Sequence, residues 1–158
     1  MFIVALILLL STGLFFFYLR AQCEEILRRQ FDREYWQEVV KANGLEFPSV
    51  RKALEGFGVP VEYPQLMVAL KSDFLALNYL LKNTDEGNRH YTPEERLLIL
   101  YSRFLFAELT VRHRLGLRET PTALKLAAIL EYFANVIAED KNNRPSGGGF
   151  LPPPSPAW

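Results

Sequence analysis

The feature that most constrains this chain is an uncharged apolar run at its amino terminus. The run extends from Phe2 to Leu19 and consists almost entirely of aliphatic and aromatic residues. As a helix that rises 1.5 Å per residue, a run of this length covers roughly 27 Å, close to the ~30 Å of hydrocarbon in a bilayer. This match predicts a single membrane-spanning helix over residues 1–19.

The carboxyl-terminal end of the run carries residues that a membrane interface favours. Four aromatic residues, Phe15, Phe16, Phe17 and Tyr18, come just before Arg20. Aromatic rings settle among lipid headgroups, while an arginine side chain extends its guanidinium toward water. We therefore predict that these five residues mark one membrane interface.

A cleaved secretory signal is the main alternative for this segment. No Lys or Arg precedes the run, and the run is longer than the core of about 7–15 residues that is typical of a signal peptide. No small-x-small cleavage site follows it, and the charge of Arg20 so close to Cys23 makes a poor lipoprotein site. The sequence thus favours a retained anchor.

Charge predicts the orientation of the span. The amino-terminal side carries only the α-amine, whereas Arg20, Arg28, Arg29 and Arg33 follow the run. Because arginine and lysine accumulate in cytoplasmic segments, we expect the amino terminus outside and the following domain in the cytoplasm. A bacterial inner membrane is the setting that we expect.

The rest of the chain has helical patterning and no convincing two-residue alternation, so the sequence predicts an all-α fold. Apolar residues recur every four positions in an amphipathic juxtamembrane helix at 20–43, which should end at Asn43-Gly44. No strong breaker separates this helix from the span, so the two can form one rod. A connector with one short helix follows at 44–62, and a helical bundle at 63–141.

A capping box marks the clearest helix start in the bundle. Thr92 can cap the helix, Pro93 suits the first helical position, and Glu95 completes the box. The helix should run to Leu115 and be terminated by Gly116, since glycine readily adopts the left-handed conformation found after helix ends.

The last helix is predicted to open in the same way, at Thr120-Pro121. From Leu124 to Ile137 it is apolar nearly all round. A helix of this composition belongs in the middle of a bundle or under a partner.

The final stretch, 142–158, is an extended tail rich in glycine and proline, which cannot build a core. Aromatic residues bracket a stiff proline rod in this tail, and polyproline segments lose little entropy when they dock into aromatic-lined grooves. An unstructured end is the alternative. The residues predicted to bind a partner are Phe150, Leu151, Pro152, Pro153, Pro154 and Trp158.

The sequence contains no motif for catalysis or metal binding. Its single cysteine and two histidines do not have the ligand spacing of a metal site, and no glycine-rich phosphate loop joins a strand to a helix. We therefore predict no catalytic residue, no cofactor, no metal and no small-molecule substrate. The net charge of zero, from 18 basic and 18 acidic residues, gives no sign of nucleic-acid binding.

Three smaller features stay open between a structural and a functional interpretation. Cys23 is either a reduced thiol or an acylation site beside the membrane. His113 is either a surface residue or a heme or chlorophyll ligand. The basic cluster Arg112, His113, Arg114 and Arg118 either neutralises a helix carboxyl terminus or meets anionic lipid headgroups.

These features favour a single-pass accessory or scaffold subunit of a larger membrane complex, which acts through contacts with other membrane-protein subunits and with the bilayer. The alternative is a membrane-tethered adaptor that recruits a soluble partner through its proline-rich tail. A third hypothesis is a small enzyme or cofactor carrier that uses the loop around His90 or uses His113.

Overall fold

The computed structural model describes residues 1–28, 36–56, 62–83 and 90–143. Within these ranges the chain forms six α-helices and no strand, which confirms the predicted all-α fold. The helices are α1 (Phe2–Leu27), α2 (Trp36–Asn43), α3 (Phe47–Glu55), α4 (Tyr63–Asn83), α5 (Pro93–Arg114) and α6 (Thr120–Asn143).

The apolar run continues into polar sequence without a break in the helix. α1 extends from Phe2 to Leu27, so it carries the predicted span and the next two turns as one rod. Of the predicted juxtamembrane helix at 20–43, the structure describes the two ends, in α1 and α2, while residues 29–35 lie outside the described part. After α2, Gly44 adopts a left-handed φ of 61°, as expected for the predicted stop.

A side chain from α4 fixes the amino terminus of α3. The Asp73 carboxylate is buried, and its Oδ2 atom accepts hydrogen bonds from the backbone N–H groups of Glu46, at 2.8 Å, and Phe47, at 2.6 Å. The first N–H groups of a helix have no partner within the helix itself. Asp73 therefore caps α3 from a position 26 residues further along the chain.

Both predicted ends of α5 are confirmed. Thr92 Oγ1 accepts from the N–H of Glu95 at 3.3 Å, and Glu95 Oε2 accepts from the N–H of Thr92 at 2.9 Å. At the other end Gly116 has a φ of 64°. Its N–H donates to the carbonyl of His113 at 3.1 Å, and the next N–H, of Leu117, reaches back to Arg112. These two bonds form a Schellman motif, which closes the helix.

α6 lies in the middle of the bundle and packs against α2, α3, α4 and α5. Its residues are almost continuously buried from Leu126 to Ala138, which agrees with the prediction for a helix that is apolar nearly all round. The predicted cap is wrong by one residue. Thr120 is already helical, and the carbonyl of Glu119 accepts the first helical N–H groups, because Pro121 fits the second helical position as well as the first.

Candidate membrane anchor and docking groove

Two helices in the described part of the chain are long and apolar enough to cross a membrane, α1 and α6. Their surroundings differ. Most of the apolar window of α6 is buried inside the bundle, whereas almost none of the α1 window is. A core helix of a bundle meets the same criteria of length and composition as a span. Of these two helices, α1 is the one whose apolar window the described chain leaves almost entirely uncovered.

The uncovered surface of α1 covers the predicted span from Phe2 to Tyr18, one residue short of the predicted end. Its large apolar side chains are between 41% exposed, at Phe16, and 93% exposed, at Phe2. Apolar surface in water is unfavourable by about 25 cal/mol per Å², and monomeric soluble proteins rarely expose a continuous patch of this extent. The helix therefore presents the kind of surface that a bilayer or a partner covers.

The last turns of α1 are buried against the bundle. Leu19 and Cys23, one turn apart on the same face, are 2% and 0% exposed. Phe16 meets Phe104 edge to face with 4.7 Å between ring centroids, and Cys23 Sγ lies 3.8 Å from the carbonyl oxygen of Leu97. The order of these two pairs shows that α1 and α5 pass each other in antiparallel directions. We call the contact formed by these five residues the joint.

An ionic network borders the joint on its polar side. Glu24 Oε1 accepts hydrogen bonds from Arg20 Nε at 2.9 Å and from Lys125 Nζ at 3.2 Å. All three side chains are partly exposed, so the network contributes little free energy. Its Lys125–Glu24 contact links α6 to α1. Tyr101 lies close by, where burial raises its pKa to about 12 and keeps the phenol neutral.

The predicted interface residues lie on α1 at the turns where the joint begins. Phe15, Phe17 and Tyr18 are more than half exposed. Phe16 instead packs on Phe104 of α5, so it belongs both to the joint and to the predicted interface residues. Arg20 stays largely exposed while it engages Glu24. Sequence patterning did not identify the joint, although the spacing of Leu19 and Cys23 on an unbroken helix is the signal that could have indicated it.

A groove of about 430 Å³ lies between α4 and α5 on the surface of the bundle. Its apolar lining comes from both helices, and Lys71 and Arg103 add positive charge. No acidic side chain of the described residues lines it. The lining residues are Met67, Lys71, Phe74, Leu75, Asn78, Arg103, Phe106, Ala107 and Thr110.

Exposed apolar side chains extend the groove along α4. Val68, Leu75 and Tyr79 are all strongly exposed, and their spacing of seven and four residues places them on one helical face. Groove and face together form an apolar surface with positive charge beside it. A surface of this kind suits an apolar segment that carries acidic groups.

The described residues contain no group of three or more His, Cys, Asp or Glu side chains that could hold a metal ion. His113 stacks on Tyr63, with 3.7 Å between ring centroids, and its Nδ1 lies 2.7 Å from Glu119 Oε1. Those contacts involve both its ring face and one of its ring nitrogens. The thiol of Cys23 is fully buried, which argues against acylation at that position.

The tail residues predicted to bind a partner lie outside the described residues, so their role stays a prediction. They are Phe150, Leu151, Pro152, Pro153, Pro154 and Trp158.

No protein-family model, no curated protein and no solved structure matches the chain. Its function is therefore inferred from its own geometry.

Proposed function

We propose that the protein is a single-pass membrane accessory or scaffold subunit whose helical bundle is held firmly at one membrane face. The observation that carries this proposal is the character of α1. One continuous helix is apolar and exposed from Phe2 to Tyr18 and then buried in the bundle at Leu19 and Cys23. A flexible linker would let the bundle reorient, whereas a helix that is part of the core holds it in place.

The joint supports a retained anchor over a cleaved signal. Cleavage just after the apolar run would cut α1 inside its buried section and remove Leu19 and the Phe16–Phe104 contact from the bundle. Burying one leucine side chain stabilises a fold by about 1.5–3 kcal/mol, a large part of a typical total of about 5–15 kcal/mol. The bundle therefore uses residues that a cleaved signal would lose.

Arginine placement supports an orientation with the bundle in the cytoplasm or its topological equivalent. Arg20 and Arg28 follow the apolar part of α1, and Arg29 and Arg33 come next in the sequence. Positive residues this close to the end of a span favour the cytoplasmic side.

Extraction and mass measurements test the anchor. We expect the chain to stay in the membrane pellet after alkaline carbonate treatment and to retain residues 2–19, as mass spectrometry of its peptides would show. Introduced cysteines should react with an impermeant maleimide from the outer side at Phe2→Cys and from the cytoplasmic side at Lys82→Cys. Release into the supernatant, or a mature chain that begins beyond residue 19, would contradict the proposal.

The partner contact that we propose uses the α4–α5 groove. Its occupant is an apolar helix of a neighbouring subunit that carries acidic side chains. The apolar lining around Phe74 and Leu75 supports the first property, and Lys71 and Arg103 support the second.

Substitution of a groove residue tests this contact in intact membranes. Leu75→Glu places a negative charge on an exposed groove residue, so it should release a stoichiometric partner after mild detergent extraction and leave the bundle folded. Ala42→Glu adds the same charge on exposed α2 and should retain the partner. A photo-crosslinker at Leu75 would identify the neighbour.

Two results would count against the proposal at different levels. A wild-type chain that is extracted as a lone folded monomer would oppose an accessory role in a complex. A partner that stays bound to the Leu75→Glu variant would show that the contact lies elsewhere on the molecule.

A further inference from the structure

We propose that the turn between α5 and α6 docks on the anionic headgroups of the bilayer that α1 spans, which gives the bundle a second membrane contact. We define the docking turn as residues 111–118, which comprise the last turn of α5 and the residues that follow it. The proposal rests on the proposed function in one respect, namely that α1 is inserted in the membrane.

The helix directions bring the docking turn to the membrane side of the bundle. α5 is antiparallel to α1, and α6 returns along α5, as the 3.1 Å hydrogen bond from Thr122 Oγ1 to Glu108 Oε1 shows. α6 is therefore parallel to α1. Phe104 of α5 lies beside Phe16 of α1, and Lys125 of α6 lies beside Glu24 of α1. The docking turn joins α5 to α6 on the apolar side of both contacts, so it lies toward the membrane end of the bundle.

The docking turn has the composition of an interfacial surface. Val111, Leu115 and Leu117 are all more than half exposed, although they are large apolar residues. Arginine residues alternate with them along the segment. Peripheral elements bind anionic membranes in two ways at once. Their apolar side chains enter the headgroup layer, and their arginines bind lipid phosphates.

The turn carries surplus positive charge. Residues 111–118 hold three arginines and no acidic residue, and Glu119 follows directly, so the segment 111–119 has a net charge of +2 with the histidine neutral. Arg112 pairs with Glu108 and His113 with Glu119. Arg114 and Arg118 are exposed and form no ion pair with other described residues. Neutralising a helix carboxyl terminus needs a cation in the last turn, which Arg114 supplies, but Arg118 lies beyond the helix.

The turn is also held in one conformation before it meets a membrane. The Schellman motif at Gly116 closes α5, and Arg112 Nη1 donates to the carbonyl of Arg118 at 3.2 Å. Stacking of His113 on Tyr63 fixes the same region to α4. A surface that is already ordered loses little conformational entropy on docking.

Depth-dependent fluorescence quenching tests the proposal with the full chain in lipid nanodiscs. An environment-sensitive probe is attached at Leu115→Cys, and the discs contain phosphatidylcholine alone or mixed with phosphatidylglycerol, with a headgroup-level nitroxide lipid as quencher. Tyr79→Cys is the matched control, because its exposure of 69% is close to the 66% of Leu115. It lies roughly 24 Å along α4 from Tyr63, the residue that stacks on the turn. The unsubstituted chain measures any labelling of buried Cys23.

We expect strong quenching at Leu115 in anionic discs, weaker quenching in zwitterionic discs, and little at Tyr79 in either. Combining Arg114→Gln with Arg118→Gln should lower the docked-to-undocked ratio in anionic discs by roughly fivefold per arginine. Quenching at Leu115 no greater than at Tyr79 would overturn the proposal. Equal quenching in both lipids, unaffected by the arginine substitutions, would overturn the recognition of anionic headgroups.

A third probe separates this proposal from the one on which it rests. A label at Leu9→Cys should be quenched by a nitroxide placed deep in the acyl chains if α1 is inserted. Deep quenching at Leu9 without headgroup quenching at Leu115 refutes the docking turn and leaves the anchor intact. Absence of quenching at Leu9 refutes the anchor itself.

Discussion

At the scale of single residues, Asp73 shows how a buried polar group can position a helix that is remote in sequence. Burial raises the pKa of its carboxyl group, while the N–H donors of Phe47 and Glu46 act in the opposite direction, and burial has the larger effect. Its Oδ2 atom accepts both hydrogen bonds, so the cap can persist when the other oxygen carries a proton.

Removing this cap should destabilise the bundle. We expect Asp73→Ala to lower the free energy of unfolding by about 2–3 kcal/mol, because the buried N–H of Phe47 and the partly buried N–H of Glu46 lose their acceptor. Asp73→Asn keeps one acceptor oxygen and should lower it by less. Ser72→Ala, at an exposed neighbouring position, is the control. Chemical denaturation in detergent gives the three values, and equal stabilities of Asp73→Ala and Ser72→Ala would contradict the cap.

The same residue predicts a pH dependence. Since the pKa of Asp73 in the folded protein lies above its ordinary value of 3.8, the folded state binds the proton more tightly than the unfolded state. The associated stability is fully present below pH 3.8 and is lost as pH rises through the folded-state pKa. The stability of the wild type relative to Asp73→Asn should therefore decline over this interval. A rise, measured by denaturation at several pH values, would contradict the sign.

Burial also determines the reactivity of Cys23. Its thiol lies in the joint and is fully buried, so a maleimide can reach it only after α1 separates from α5. We expect labelling in the native state to be roughly a hundredfold slower than in denaturant. Leu115→Cys, on the exposed turn, provides a fast-reacting comparison in detergent. Similar native rates at the two positions would show that the joint is open.

At the scale of elements, α1 has two environments along one continuous helix. Leu14 and Leu19 belong to the same uncharged run, yet Leu14 is exposed and Leu19 is buried against the bundle. The difference comes from α5 and α6, which reach α1 only along its last turns. The joint therefore makes the proposed anchor helix part of the fold.

Truncating each leucine in turn separates these environments. Leu19→Ala should destabilise the bundle by about 2–5 kcal/mol, because it removes a buried side chain and leaves a cavity. Leu14→Ala removes the same atoms from a position outside the bundle and should leave its stability unchanged. Thermal unfolding in detergent, followed by near-ultraviolet circular dichroism, measures both. Equal effects of the two substitutions would mean that the joint does not contribute to the bundle.

At the scale of the whole molecule, α6 connects the other helices of the bundle. It packs on α2, α3, α4 and α5. Its contact with α3 includes the ion pair of Arg51 with Glu131. Side chains such as Phe133 are shielded completely by helices that come from distant parts of the sequence. The bundle should therefore unfold as one unit when α6 is disturbed.

Hydrogen exchange tests this dependence on α6. Amides from Leu126 to Phe133 should exchange more slowly than those of α3, since they open only when the bundle unfolds globally. Phe133→Ala should lower the stability by about 3–5 kcal/mol and accelerate exchange in all helices of the bundle together. If exchange in α6 were as fast as in α3, α6 would not be the common core.

The sequence by itself determined the features that depend on a few neighbouring residues. The capping box at Thr92, the stop at Gly116 and the uninterrupted apolar run each follow from local hydrogen bonding or local periodicity. All-α architecture follows because these local signals agree along the chain. The misplaced cap at Thr120 shows the precision of such signals, which is about one residue.

Only the tertiary structure decided which apolar surfaces are covered. α1 and α6 both have the length and composition of a span, but α6 is enclosed by other helices and α1 is not. The joint at Leu19 and Cys23 depends on contacts of α1 with α5 and α6, such as Cys23 with Leu97 and Glu24 with Lys125. These contacts join residues that are 74 and 101 positions apart. Burial depends on such distant neighbours, and local periodicity does not identify them.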